Sequence, residues 1–197
     1  EKTMTSILKV DSIQNSAGTV IMPVMAGGII QTQVHQEDGL TYWAHATSIG
    51  ADRLLLAADA NDSTSHLSVT ITPTSATSKI LLTTSVFFEG SNASNQNYLW
   101  TFYRDSTKLG QANVGSRRGG IMSTSVGHAG SDASSTPDST SYSYYDNPNT
   151  TSAITYAVAF NYSSTSGNVF LNRTVADTDS VSFERGVSII IAQEIAQ

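Results

Sequence analysis

Two runs of this chain alternate large and small side chains with a period of two, and that alternation constrains the fold more than any other feature. Ile154, Tyr156, Val158, Phe160 and Tyr162 interleave with Ala153, Thr155, Ala157, Ala159 and Asn161. Residues 79–89 divide the same way, with Ile80, Leu82, Thr84, Val86 and Phe88 set against Leu81, Thr83, Ser85 and Phe87. Successive side chains of a strand point to opposite faces, so each run turns one bulky face to a core. Further strand-like segments fall at 28–36, 66–72, 98–104, 168–173 and 187–196, with weaker ones at 121–126 and 142–146. No window shows a sustained helical stripe; residues 51–58 are the best exception and predict two turns. Pro73 closes one strand by removing a ladder donor. The Ser-rich stretch 163–168 predicts a hairpin over 153–173. This pattern predicts an all-β fold, an antiparallel β-sandwich or jelly roll. Residues 1–27 read as a short N-terminal arm or connector, and 28–197 as the sandwich head domain.

Composition narrows the role. Of 197 residues 13% are charged, while 29 Ser and 24 Thr supply polarity without charge; an average domain carries about 25% charged residues. A net charge of −6 opposes nucleic-acid binding, which needs a basic footprint. The absence of cysteine excludes disulfides and thiolate chemistry. No stretch approaches the ~18 apolar residues that cross a bilayer, so no membrane insertion is expected. No charged residue stands between Asn147 and Asn172, and neither face of 80–88 is charged. Exposed strands normally carry charge to prevent association. These bare faces therefore predict contacts with copies of the same chain, with Ala153, Thr155, Ala157 and Ala159 as the interface positions.

Catalytic patterns are missing. His35, His45, His66 and His128 have no ligand-spaced partners, and there is neither a nucleophile elbow nor a phosphate loop. Asp59-Ala60-Asn61-Asp62 and Asp177-Thr178-Asp179 lack calcium-loop spacing and read as turns. No catalytic residue, metal site or cofactor is assigned, and the chain is expected not to be an enzyme. The adjacent pair Arg117 and Arg118 is suited to an anionic group. Tyr142, Tyr144 and Tyr145, beside Asp146 and Asn147, are suited to stacking on sugars of a host-surface polysaccharide.

Several segments in order resemble one family. The opening Thr5-Ser6-Ile7-Leu8-Lys9-Val10-Asp11-Ser12-Ile13-Gln14-Asn15 resembles the start of many virion surface proteins of tailed bacteriophages, particularly marine and cyanobacterial ones. The stretch Leu67–Leu81, Tyr103-Arg104-Asp105, Asp146-Asn147-Pro148, Asn172-Arg173, Arg185-Gly186 and Glu194-Ile195-Ala196 continue the likeness, whereas residues 40–66 depart from it. The resemblance implies a homotrimeric fibre-head type of structural protein on the virion surface, assembled in the host cytoplasm and engaged in host attachment. A capsid decoration or cement protein is the alternative, and a glycan-degrading tail enzyme a more distant one. It also implies an anchoring arm, carried by Ile7, Leu8, Val10 and Ile13, that contacts other virion proteins. The Tyr-Arg-Asp, Asp-Asn-Pro and Asn-Arg elements enter as fold determinants rather than as a site.

Overall fold

The computed structural model describes residues 26–44, 51–91, 96–126, 134–163 and 167–197. The anchoring arm, with Ile7, Leu8, Val10 and Ile13, lies outside the described residues. Twelve strands are found among them: β1 (Ile29–Glu37), β2 (Tyr42–Ala44), β3 (Asp52–Leu54), β4 (Ser68–Ile71), β5 (Lys79–Gly90), β6 (Gln96–Arg104), β7 (Thr107–Lys108), β8 (Met122–Val126), β9 (Asp138–Asp146), β10 (Ile154–Tyr162), β11 (Asn168–Leu171) and β12 (Ser188–Ile195). Every pairing between them is antiparallel.

The strands form two sheets. In the first, the long strand β5 is central. Ser85 pairs with both Ile189 of β12 and Ser141 of β9, and Phe88 with both Leu171 of β11 and Asp138 of β9. β11 and β12 therefore lie end to end on one flank of β5, with β9 on the other. β1 pairs with β12, and β2 with β11. In the second sheet β10 pairs with β6; β3 and β4 follow each other along its outer edge, and β7 and β8 along the outer edge of β6. The result is an antiparallel β-sandwich of jelly-roll type, as the alternation requires.

The period-two residues make the core. Ile80, Leu82, Val86 and Phe88 of the first sheet, and Trp100, Phe102, Tyr156, Val158 and Phe160 of the second, are all nearly inaccessible. Aromatic rings cross the interlayer at edge-on and offset angles. Phe88 meets Trp100 at 4.7 Å and 66°, and Phe102 meets Tyr142 at 4.8 Å and 46°. Such geometries are the preferred ones for aromatic quadrupoles. Gly90 is required where β5 passes under a ring, because a Cβ there would stand 2.0 Å from the Tyr98 hydroxyl.

Two expectations need correction. Residues 153–173 are not a hairpin: β10 belongs to the second sheet and β11 to the first. The connection crosses between layers, because both strands have stronger partners in their own sheets. Residues 51–58 are not helical; β3 pairs with the end of β10, and a single 3-10 turn follows at Ala57–Asp59. The strands β2, β3 and β7, of three, three and two residues, are too short for a periodic signal.

Of the motifs read as fold determinants, one binds the two layers and the others hold segments within a sheet. The Arg104 guanidinium donates to both carboxylate oxygens of buried Asp146 at 3.1 Å, and the Tyr156 hydroxyl donates to Asp146 at 2.7 Å. Asp105, at φ 49°, turns β6 into β7 and accepts the Thr155 N–H at 3.0 Å. Asn172, fully buried at φ 62°, donates to the Glu37 and Gly39 carbonyls and accepts from the Ser188 hydroxyl at 2.7 Å. Asn tolerates the left-handed region better than most residues. Replacing Asn172 with Ala removes three hydrogen bonds at a buried site, so Asn172→Ala is expected to cost about 2–4 kcal/mol. Denaturant unfolding should show this as a lower midpoint with unchanged slope.

Candidate interaction surfaces

β9 separates the three tyrosines that the sequence reading grouped. Tyr142 and Tyr144 share parity and point inward, whereas Tyr145 points outward. Tyr142 is buried at 5% exposure beneath Phe102, and its hydroxyl donates to the Thr101 carbonyl at 3.0 Å. Burial pushes its phenol well above the ordinary value. A sugar cannot reach it, so its assignment as a binding residue is withdrawn. Tyr144 is half-buried against the core. Tyr145 alone of the three is open, at 52%, with its hydroxyl accepting from Gln197 at 3.2 Å.

The adjacent arginines also divide. Arg118 is a brace: its guanidinium donates to the Asn97 carbonyl at 3.3 Å and to the Asn161 carbonyl and side-chain oxygen at 3.2 Å. It thereby ties β6 to β10, and burial lowers its pKa. Arg117 is exposed on the Val114–Arg117 turn.

The outer face of β10 is not a free surface, which corrects the proposed subunit interface. Ala157 and Ala159 are 2% and 0% exposed within the single chain. Their small side chains leave room for longer neighbours to join across the same face. Lys108 Nζ reaches Asp52 Oδ2 at 2.7 Å, the Tyr103 hydroxyl donates to the same oxygen at 2.8 Å, and Asn161 Nδ2 donates to Asp52 Oδ1 at 3.1 Å. Burial, and then the Asp52 carboxylate, push the Tyr103 phenol up. Thr155 is half-buried and shares a hydrogen bond with Thr70 at 2.9 Å; Ala153 is exposed.

The outer face of the first sheet is different. From Lys79 to Ser85 its outward rows contain Leu81, Thr83 and Ser85 on β5, Ile189, Ile191 and Gln193 on β12, Val34 on β1 and Tyr145 on β9. Lys79 is the only charged residue in those rows. Glu89, the carboxylate further along β5, is fully buried and accepts the Thr136 and Val175 N–H groups at 3.1 and 2.6 Å.

The registers also give the domain two unlike ends. Ala44 pairs with Asn168, Asp52 with Asn161, Gly90 with Val169 and Gln96 with Val126. Ala44, Asp52, Gly90, Gln96, Val126, Asp138, Tyr162 and Asn168 therefore all lie at one end. At the other, Ile29 and Lys79 both pair with Ile195, and the Gly27 N–H donates to the Ala196 carbonyl at 2.8 Å. The chain enters and leaves the domain there.

Asp177, Thr178, Asp179, Ser180, Phe183 and Arg185 line an open cleft of about 450 Å³. Two hydrogen bonds, at 2.9 and 2.6 Å, join Arg185 to Asp177 and hold that carboxyl below its usual range. Asp62 accepts the Ser65 and Thr64 N–H groups at 2.7 and 2.9 Å, and these donors hold it well below the carboxylate range. Both acidic segments are thus engaged in local turns. Among the described residues no three His, Asp or Glu side chains are grouped to hold a metal ion.

No known family description matches the chain, and no curated protein is similar to it in sequence. Solved structures of infectious bursal disease virus share a limited resemblance. The Gx strain structure is 10% identical, with a TM-score of 0.38 over 95% of this chain and 42% of that one. The VP2 subviral particle is 10% identical, with a TM-score of 0.36 over 96% and 43%. This chain spans about two-fifths of the length of those chains. At such identities and TM-scores the resemblance says nothing of what this chain does.

The tyrosines give a direct check. Tyr142→Phe removes one buried hydrogen bond and is expected to cost about 1–2 kcal/mol, whereas Tyr145→Ala should stay within about 0.5 kcal/mol. Thermal unfolding of the two variants side by side measures the difference.

Proposed function

We propose that this chain is a structural, non-enzymatic subunit of a bacteriophage particle, a homotrimeric tail-fibre or fibre-like head that stands on the virion surface. The observation that carries this reading is the polarity of the domain. Gly27 lies beside Ala196 at one end, and at the other β2, β5, β8 and β10 finish and β3, β6, β9 and β11 begin. A subunit held at the Gly27–Ala196 end turns the opposite end outward, toward a host-surface polysaccharide. Arg117 belongs to that display end through its neighbour Arg118, which touches Asn97.

The copies meet through the outer rows of β1, β12, β5 and β9 rather than through β10. The chain carries −6 overall, so copies repel wherever their acidic groups face one another. These rows, bare except for Lys79, let two copies approach without that penalty.

In solution the chain should have three times the mass of 20.9 kDa, measured by light scattering or sedimentation. A monomer at micromolar concentration overturns the trimer. The double variant Leu81→Lys/Ile191→Lys should fall to one-chain mass with unchanged circular dichroism, because both side chains point out of the sandwich. A trimer that persists moves the interface elsewhere.

Removing residues 1–25 should leave a folded trimer that is no longer incorporated into particles. Labelling the chain on intact particles by electron microscopy then separates tail from capsid. Label on the capsid shell would replace the fibre reading with that of a decoration protein.

A further inference from the structure

The two sheets approach along one side of the sandwich, where the edge strand β1 of the first faces the edge strand β4 of the second. No ladder joins them; side chains close the seam. At one end Gln31 Nε2 donates to the Thr72 carbonyl and to Glu194, both at 2.7 Å. At the other the rings of His35 and His66 are stacked, with centroids 3.9 Å apart and planes within 13°. His35 Nε2 is 3.0 Å from the His66 carbonyl oxygen and 3.5 Å from Glu37 Oε2. The same carboxylate oxygen accepts the His66 backbone N–H at 2.8 Å, while Oε1 accepts that of Gly39 at 2.6 Å.

We propose that the His35–His66 stack is an acid-released latch that holds β1 against β4, and that protonating both rings opens this seam while the rest of the sandwich stays folded. Two neutral imidazoles stack favourably, but two imidazolium rings face to face repel at the shortest range the side chains allow. One proton is tolerated, because Glu37 lies beside His35. The second finds only that same carboxylate, which already accepts two backbone donors.

Of the other charged groups nearby, Asp38 beside Glu37 is exposed to solvent and the rest are engaged. Asp62, on the turn leading to His66, is bound to Thr64 and Ser65; Glu194 of β12 is bound to Gln31 and Thr74; β4 has no charged residue. Ser68 Oγ lies 3.0 Å from His66 Nδ1. Burial, then the facing His35, lower the His66 pKa below its ordinary 6.5, against smaller raising effects from Glu37 and Ser68. The sign follows by linkage. Below about pH 6.5 the unfolded chain binds more protons at this site than the folded one, so the latch stabilises the fold at neutral pH and weakens as pH falls.

The test combines imidazole NMR titration with amide exchange on the full chain. The His66 ring should titrate below the ordinary histidine range. Between about pH 7.5 and pH 5, exchange at the His66 and Gly39 amides, corrected for intrinsic chemistry, should rise about tenfold or more relative to Phe160 in β10. In His35→Gln and His66→Gln that rise should disappear, since neither variant can place two charges in the stack. A His66 midpoint at or above the ordinary histidine value, a flat exchange ratio in the native chain, or an undiminished rise in both variants each overturns the latch. The native titration decides the matter even if a variant fails to fold.

Discussion

Backbone N–H groups that a sheet leaves unpaired at its ends must find acceptors once loops bury them, and in this domain carboxylates meet that need. Glu37 accepts from Gly39 and His66, Glu89 from Thr136 and Val175, and Glu194 from Thr74. All three side chains are buried. Each joins a strand of the first sheet to a segment distant in sequence, up to 120 residues away for Thr74 and Glu194. Hydrogen bonds to an ionised acceptor are roughly twice as strong as neutral ones. For Glu194, burial alone raises the pKa, but the donors from Gln31, Thr74 and Ser78 outweigh it and leave the carboxyl below its ordinary value.

This use of charge explains the composition. A chain with few ionic groups places several of them inside, as acceptors and braces: Asp146 between Arg104 and Tyr156, and Asp52 between Lys108, Tyr103 and Asn161. The outer rows of the first sheet are left almost without charge. The scarcity first read as a property of surfaces is thus also a property of how the layers are joined. The small residues of β10 belong to the same arrangement, since Ala157 and Ala159 leave space for the Asp52 network to span their face.

Strand by strand, the alternation was legible wherever a run was long enough to show a period. β5, β6, β10 and β12 follow from their apolar spacing within a residue or two. Three-residue strands such as β2 and β3 carry no period and exist only because β10 and β11 offer them an edge. The hairpin expected over 153–173 failed because a turn signal locates a reversal but not the partner sheet. Tyr142 and Tyr145 show a missed inference: residues three apart in a strand lie on opposite faces, and applying the same period to β9 would have separated them.

The histidine pair had no sequence signal. His35 and His66 stand 31 positions apart, on segments that belong to different sheets, and become neighbours only where β1 and β4 close the seam. By itself the sequence determined which residues face the core, because period two is a local property of extended backbone. It determined the all-β class for the same reason. Tertiary structure alone decided which sheet each strand joins, which uncharged face is covered from within and which remains open, and which strand ends gather together. Those outcomes depend on pairings between distant segments, and such pairings leave no local pattern.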